Sequence, residues 1–142
     1  MRLVEDETND RLLPFRSMTR DRFLGKPRIT TVRNASELRP KLLLTLQDLP
    51  RVPFLDGLTA VYNADGAAVF DGDTVVASYN FGDTLVVAPK YRRRGIAVEL
   101  VYQWRTRFPD ALPATHRTRL AQAVQSKVWD RIQAELRELP TP

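Results

Sequence analysis

The spacing of apolar side chains divides the chain near residue 28. Before that point charged residues alternate irregularly with Leu12, Leu13, Phe15, Phe23 and Leu24, and neither a period of two nor one of 3.6 is sustained. Residues 1–27 therefore read as an N-terminal extension whose apolar side chains dock elsewhere or order on a partner. From Arg28 to Arg33 the run Arg-Ile-Thr-Thr-Val-Arg is short and β-branched, which predicts a strand. Asn34 or Ser36 then caps a helix carrying Leu42, Leu43, Leu46 and Leu49, and Pro50 ends it.

Beyond the loop marked by Pro50, Pro53 and Gly57, three short runs alternate with turn residues. Leu58–Tyr62, Ala67–Phe70 and Thr74–Tyr79 are separated by Asp65-Gly66 and Gly72-Asp73, so the stretch reads as an antiparallel meander. A fourth run, Thr84–Ala88, is almost wholly apolar, the pattern of a strand buried on both faces in the middle of a sheet. Gly95 then opens a helix in which Ile96, Leu100, Val101 and Trp104 share a face up to Phe108-Pro109. A last helix, capped by Thr118, places Leu120, Val124, Val128, Ile132 and Leu136 at intervals of four, with Trp129 widening the stripe. This order predicts an α/β (α+β) domain over residues 28–142.

Composition narrows the chemistry. A chain of 142 residues with 43% apolar content suits one domain with a real core. There is no cysteine and one histidine, His116, which excludes disulfides and leaves no histidine pair for a zinc site. The acidic start Met1–Glu7 lacks the apolar segment of a signal peptide, and no apolar run approaches about 18 residues, so a cytoplasmic protein without a membrane span is expected. The net charge is +5, and all of that surplus falls between Lys90 and Arg107, where six basic residues face only Glu99. So concentrated an excess fits a compact anion site better than a long phosphate-tracking stripe.

The densest chemistry lies where the apolar strand runs through Pro89 into Arg92-Arg93-Arg94-Gly95 and a helix. A helix start exposes unpaired backbone N–H groups at the positive end of the dipole, and small residues such as Gly95 and Ala97 let phosphates approach. The run Val86-Val87-Ala88-Pro89-Lys90-Tyr91-Arg92-Arg93-Arg94-Gly95-Ile96-Ala97 resembles motif A of the GNAT family of acyl-CoA N-acyltransferases. Arg92, Gly95 and Ala97 match that family's signature of Arg or Gln, two residues, Gly, one residue, then Gly or Ala, and the element order from Arg28 onward also fits.

The resemblance implies a mixed central sheet flanked by helices and splayed at its middle. It implies acetyl-CoA as cosubstrate, with pantetheine along Leu85, Val86 and Val87, and the pyrophosphate on Arg92, Arg93, Arg94, Gly95, Ile96, Ala97 and Val98. The implied reaction moves the acetyl group to an amine of a small molecule or protein, with the backbone N–H near Val87 holding the oxyanion. Two departures bear on activity: the late helix has no tyrosine in Ala123–Asp130, and no Gly-Phe strand follows it.

A proton donor for the departing thiolate must come from elsewhere. Tyr79, Asn80, Asp83 and Glu99 are the candidate catalytic groups. Tyr79 is the preferred acid because its strand should neighbour the central one, whereas Tyr62 lies on a farther strand and Tyr91 and Tyr102 belong to the cofactor loop and helix. Asp83 is a base or a turn residue, and His116, with an intrinsic pKa close to neutral, could deprotonate the amine. Two other classes stay open. One is a catalytically silent CoA-binding or protein-interaction module; the other is a nucleic-acid binder using Arg92–Arg94 and Arg117–Arg119, although interleaved aromatic residues are missing there.

Overall fold

The computed structural model describes residues 10–26, 28–29, 46, 48–80, 84–111 and 116–139, with the side chains of Arg28 and His116 excepted. The rest of the first predicted strand and nearly all of the helix before Pro50 lie outside these residues; Leu46 is helical and fully buried. Helix α1 is Arg20–Leu24, and the strands are β1 (Arg28–Ile29), β2 (Val52–Pro53), β3 (Thr59–Asn63), β4 (Gly66–Asp71), β5 (Thr74–Asn80), β6 (Thr84–Val87) and β7 (His116–Arg117). Two longer helices complete the fold, α2 (Ile96–Arg107) and α3 (Arg119–Glu138). No described helix is long and apolar enough to cross a membrane.

Strands β2-β3-β4-β5-β6 form one sheet in that order, and every pairing in it is antiparallel. A mixed sheet was expected; the parallel pairing described is instead β1 with β7, in a separate two-stranded sheet. The reason is connectivity. Tight turns return the chain beside the strand it has just left, which only an antiparallel ladder permits. In the β3–β4 turn the Asn63 side-chain oxygen accepts from the N–H groups of Asp65 (2.8 Å) and Gly66 (3.0 Å), and in the β4–β5 turn Gly72 takes φ 59°.

One face of the sheet, through Ala60, Ala67, Val69, Ala77, Tyr79, Leu85 and Val87, carries the larger core. Over it pack Ile96, Leu100, Val101 and Trp104 of α2 and Ala121, Val124, Val128 and Ile132 of α3. The docking left open for the N-terminal segment is resolved here: Leu12, Phe15, Phe23 and Leu24 enter this core, whereas Leu13 remains exposed. Full burial of a side chain such as Phe15 or Phe23 stabilises by roughly 1.5–3 kcal/mol, so this segment adds to the packing of the core. The opposite face gathers Val61, Ala68 and Phe70 around Leu46.

Strand β6 is buried along its whole length, as its apolar run predicts, but it stands at the end of the five-stranded order and not in the middle. The helices above it cover Leu85 and Val87. Thr118 caps α3, its hydroxyl accepting from Ala121 N–H at 3.3 Å. Leu120, predicted as the first residue of the apolar stripe, is 47% exposed, and its position matters below.

Candidate functional site

The antiparallel alternation along β6 decides which backbone groups face outward. Ala88 N–H donates to Val76 O at 2.8 Å, making Ala88 and Val76 a hydrogen-bonded pair. Two residues back, Val86 opposite Ser78 is the next such pair, so the N–H and C=O groups of Leu85 and Val87 turn away from β5. The carbonyl of Val87 shows this directly, accepting from Arg92 Nε at 3.0 Å. The N–H of Val87 faces the same outer edge of β6.

After Ala88, a 3-10 turn over Pro89–Tyr91 reverses the chain. Arg93 follows with φ 63°, a left-handed conformation that costs a β-carbon-bearing residue of order 1 kcal/mol, and Gly95 caps α2 with φ 78°. Gly95 O accepts from Glu99 N–H at 3.0 Å to start the helix, while the N-cap residue itself, a glycine, offers no side-chain cap to the first turn. A helix start of this kind attracts anions.

These pieces converge on a cavity of about 380 Å³, within the range of small-molecule sites. Its apolar wall comes from Val87 on β6, Ile96, Ala97 and Val98 on α2, and Leu120 and Val124 on α3. Its polar rim holds Tyr91, Arg92, Arg93, Gly95 and Lys127. A second depression of about 340 Å³ near the end of α3, beside Arg16, Gln133 and Arg137, has no helix start or open strand edge in its wall.

Of the residues expected to bind a cofactor, Val87, Arg92, Arg93, Gly95, Ile96, Ala97 and Val98 come together here. Leu85 and Val86 do not line the cavity; they are buried in β6 behind it. Arg94 is turned onto the Tyr91 ring, its guanidinium 5.3 Å from the ring centre, with Lys90 at 6.0 Å on the same ring. The Tyr91 hydroxyl donates to Asp71, and that hydrogen bond raises the phenol above its ordinary value.

Tyr79 is fully buried on β5, opposite Leu85, its ring edge-on to Trp104 at 5.3 Å. It shares a sheet face with Val87 but does not line the cavity. Glu99 is drawn to α3 by Arg131 at 3.2 Å. Asn80 is buried at 2% exposure beside Thr84. Asp83 and the side chain of His116 lie outside the described residues.

Burial lifts the Tyr62 phenol to about 12, with Arg107 stacked 4.4 Å from its ring opposing the shift. Tyr102 is raised by burial and by a hydrogen bond to Glu135. Trp104 Nε1 donates to Asn63 O at 2.8 Å and Trp129 packs on Phe23, so both tryptophans serve the core.

Sequence reasoning missed the α3 wall. Leu120, Val124 and Lys127 stand at i, i+4 and i+7, one helix face, and the exposed Leu120 followed by Lys127 was the available signal. Arg117, weighed as part of a basic surface, is instead wholly buried. No protein family model, curated protein or solved structure matches this chain.

Proposed function

We propose that the cavity binds acetyl-CoA and that the chain is an N-acetyltransferase acting on an amine of a small molecule or protein. The observation that carries this reading is the meeting, in one cavity, of the outward Val87 N–H, the start of α2 at Gly95, and the cations Arg93 and Lys127. A diphosphate suits the helix start and the two cations, and an amide-bearing chain suits the open edge of β6. Both chemistries occur in CoA. The resemblance of Val86–Ala97 to motif A of the GNAT family points to the same ligand.

In the proposed reaction a neutral amine attacks the thioester carbonyl. The N–C bond forms, negative charge on the carbonyl oxygen is held by Val87 N–H, and the C–S bond then breaks. The amine loses a proton and the thiolate gains one. Tyr79 is the proposed donor to sulfur. It sits one register step of two residues, roughly 7 Å, along the ladder from the Ala77–Val87 pair, so it would act from beneath the cavity wall.

That burial favours a second reading, a CoA-binding module without transferase activity. The two separate in a pair of measurements. Acetyl-CoA and CoA, but not an equal concentration of an uncharged pantetheine amide, are expected to raise the melting temperature, a ligand at a hundred times its Kd adding about 2.7 kcal/mol. Absence of any shift with acetyl-CoA removes both readings. A shift without acetyl transfer to any member of a broad amine panel leaves the silent module.

A further inference from the structure

Away from the cavity, two arginines are buried, and among the described residues no ion pair includes either of them. Arg105, on α2, is 2% exposed, and Arg117, on β7, is 0% exposed. Burial lowers both: the Arg105 guanidinium is pushed down to about 10, chiefly by desolvation and further by Arg117, and Arg117 is lowered by desolvation. At neutral pH both still carry their charge. Among the described residues the ion pairs Arg51–Asp73, Arg131–Glu99 and Arg131–Glu135 leave both out.

Their hydrogen-bond and ring partners among the described residues are neutral. Arg105 Nη1 donates to Gln125 Oε1 at 3.4 Å and its guanidinium lies 4.0 Å from the centre of the Phe23 ring. Arg117 Nη1 donates to Gln122 Oε1. The Tyr79 hydroxyl is close enough to act electrostatically on both guanidiniums. Among the described residues, Arg105 Nε, Arg117 Nε and Arg117 Nη2 have no hydrogen-bond acceptor. An interior that holds two like charges and three unsatisfied donors is several kcal/mol less favourable than one in which an acceptor neutralises them.

We infer that Arg105 and Arg117 form an internal binding site for a small oxyanion of the carboxylate class, held in the interior between α2 and β7. Three N–H donors on two planar guanidiniums match the two oxygens of a carboxylate, whose lone pairs accept in the same fork geometry. A spherical halide supplies the charge without that match. The inference does not depend on acetyl-CoA binding, because no residue of this cluster lines the cavity at Val87, although Tyr79 is shared with the proposed proton donor.

The test is thermal unfolding of the full chain in formate, acetate, chloride or a bulky sulfonate at one ionic strength. Formate and acetate are expected to give a saturable rise of roughly 4–8 °C over the sulfonate, with chloride giving less. Arg105→Met and Arg117→Met should each remove the difference between anions, whereas Lys127→Ala in the cavity should keep it. A wild-type response equal for all four anions, or a formate-specific response that survives both methionine variants, overturns the site. Should the variants fail to fold, ¹³C-formate on the wild-type protein decides: a saturable bound signal with a nuclear Overhauser contact to the Phe23 or Tyr79 ring supports the inference, and its absence overturns it.

Discussion

The cavity rim and the arginine cluster beneath the helices use the same side-chain chemistry under opposite conditions. Arg93 and Lys127 are exposed at the rim, where water solvates their charge and a ligand adds to an already satisfied state. Arg105 and Arg117 have lost that water, so an anion there would relieve a cost already present in the fold. The comparison teaches that basic residues report on ligands in two ways. Exposed cations matter through the geometry that gathers them, and buried ones through the donors left unmatched.

The sharpest challenge to the cavity half concerns Tyr79, which lies nearer the buried half. General acid assistance is worth about 10²- to 10⁴-fold, so Tyr79→Phe should lower acetyl transfer by that order while acetyl-CoA affinity stays within about twofold. Steady-state kinetics beside calorimetric binding will check this, and full turnover in the variant removes Tyr79 as the acid.

Gly95 tests the rim next. A β-carbon placed there meets nothing within 4 Å, so the space is open and the backbone alone, at φ 78°, resists substitution. Gly95→Ala should therefore cost about 1–2 kcal/mol of stability and keep most of the affinity. Gly95→Glu places a carboxylate at the helix start and should weaken acetyl-CoA by roughly 100-fold, or about 2.7 kcal/mol. Equal affinities in the two variants would dissociate the helix start from the ligand.

Burial should also govern titration away from either site. The folded Tyr62 phenol at about 12 stands above the ordinary value of 10, so the folded state keeps its proton where the unfolded state releases it. The resulting stability is fully present below pH 10 and is lost as pH rises through about 12, with a ceiling of roughly 2–3 kcal/mol. Chemical denaturation at pH 9 and pH 11.5 should show a smaller alkaline loss in Tyr62→Phe than in the wild type. Equal losses would mean that the phenol is already hydrated in the folded protein.

The smallest effects belong to the rim cations. Arg93→Ala and Lys127→Ala should each weaken CoA by about 5- to 10-fold at low salt, and by less as ionic strength rises, because exposed charges are screened over about 8–10 Å. Calorimetric titrations at two salt concentrations check this, and a salt-independent loss in either variant would place that cation in a desolvated contact.

Much of the local structure was legible in the sequence because it depends on short-range constraints. The turns at Asp65-Gly66 and Gly72-Asp73 mark the hairpins between β3, β4 and β5, and the apolar run at 84–88 contains the buried strand β6. Thr118 marks the start of α3, and Gly95 that of α2. Each signal acts within a few residues, through φ preference, capping or strand alternation. The loop Arg92–Ala97 is likewise legible as the proposed anion site, since helix start and positive charge are neighbours in the chain.

Tertiary packing decided what local signals could not address. It put β6 at the end of an antiparallel sheet, and it brought Leu120, Val124 and Lys127 across from a helix more than twenty residues farther along the chain to close the cavity. It also turned Arg94 onto Tyr91 and sank Arg105 and Arg117 into the interior. A sequence specifies that an arginine is charged, whereas the dielectric around it and the acceptors within reach are set by which helices and strands meet there. For Arg93 that meeting left water and a cavity; for Arg117 it left Gln122, Tyr79 and donors without acceptors among the described residues.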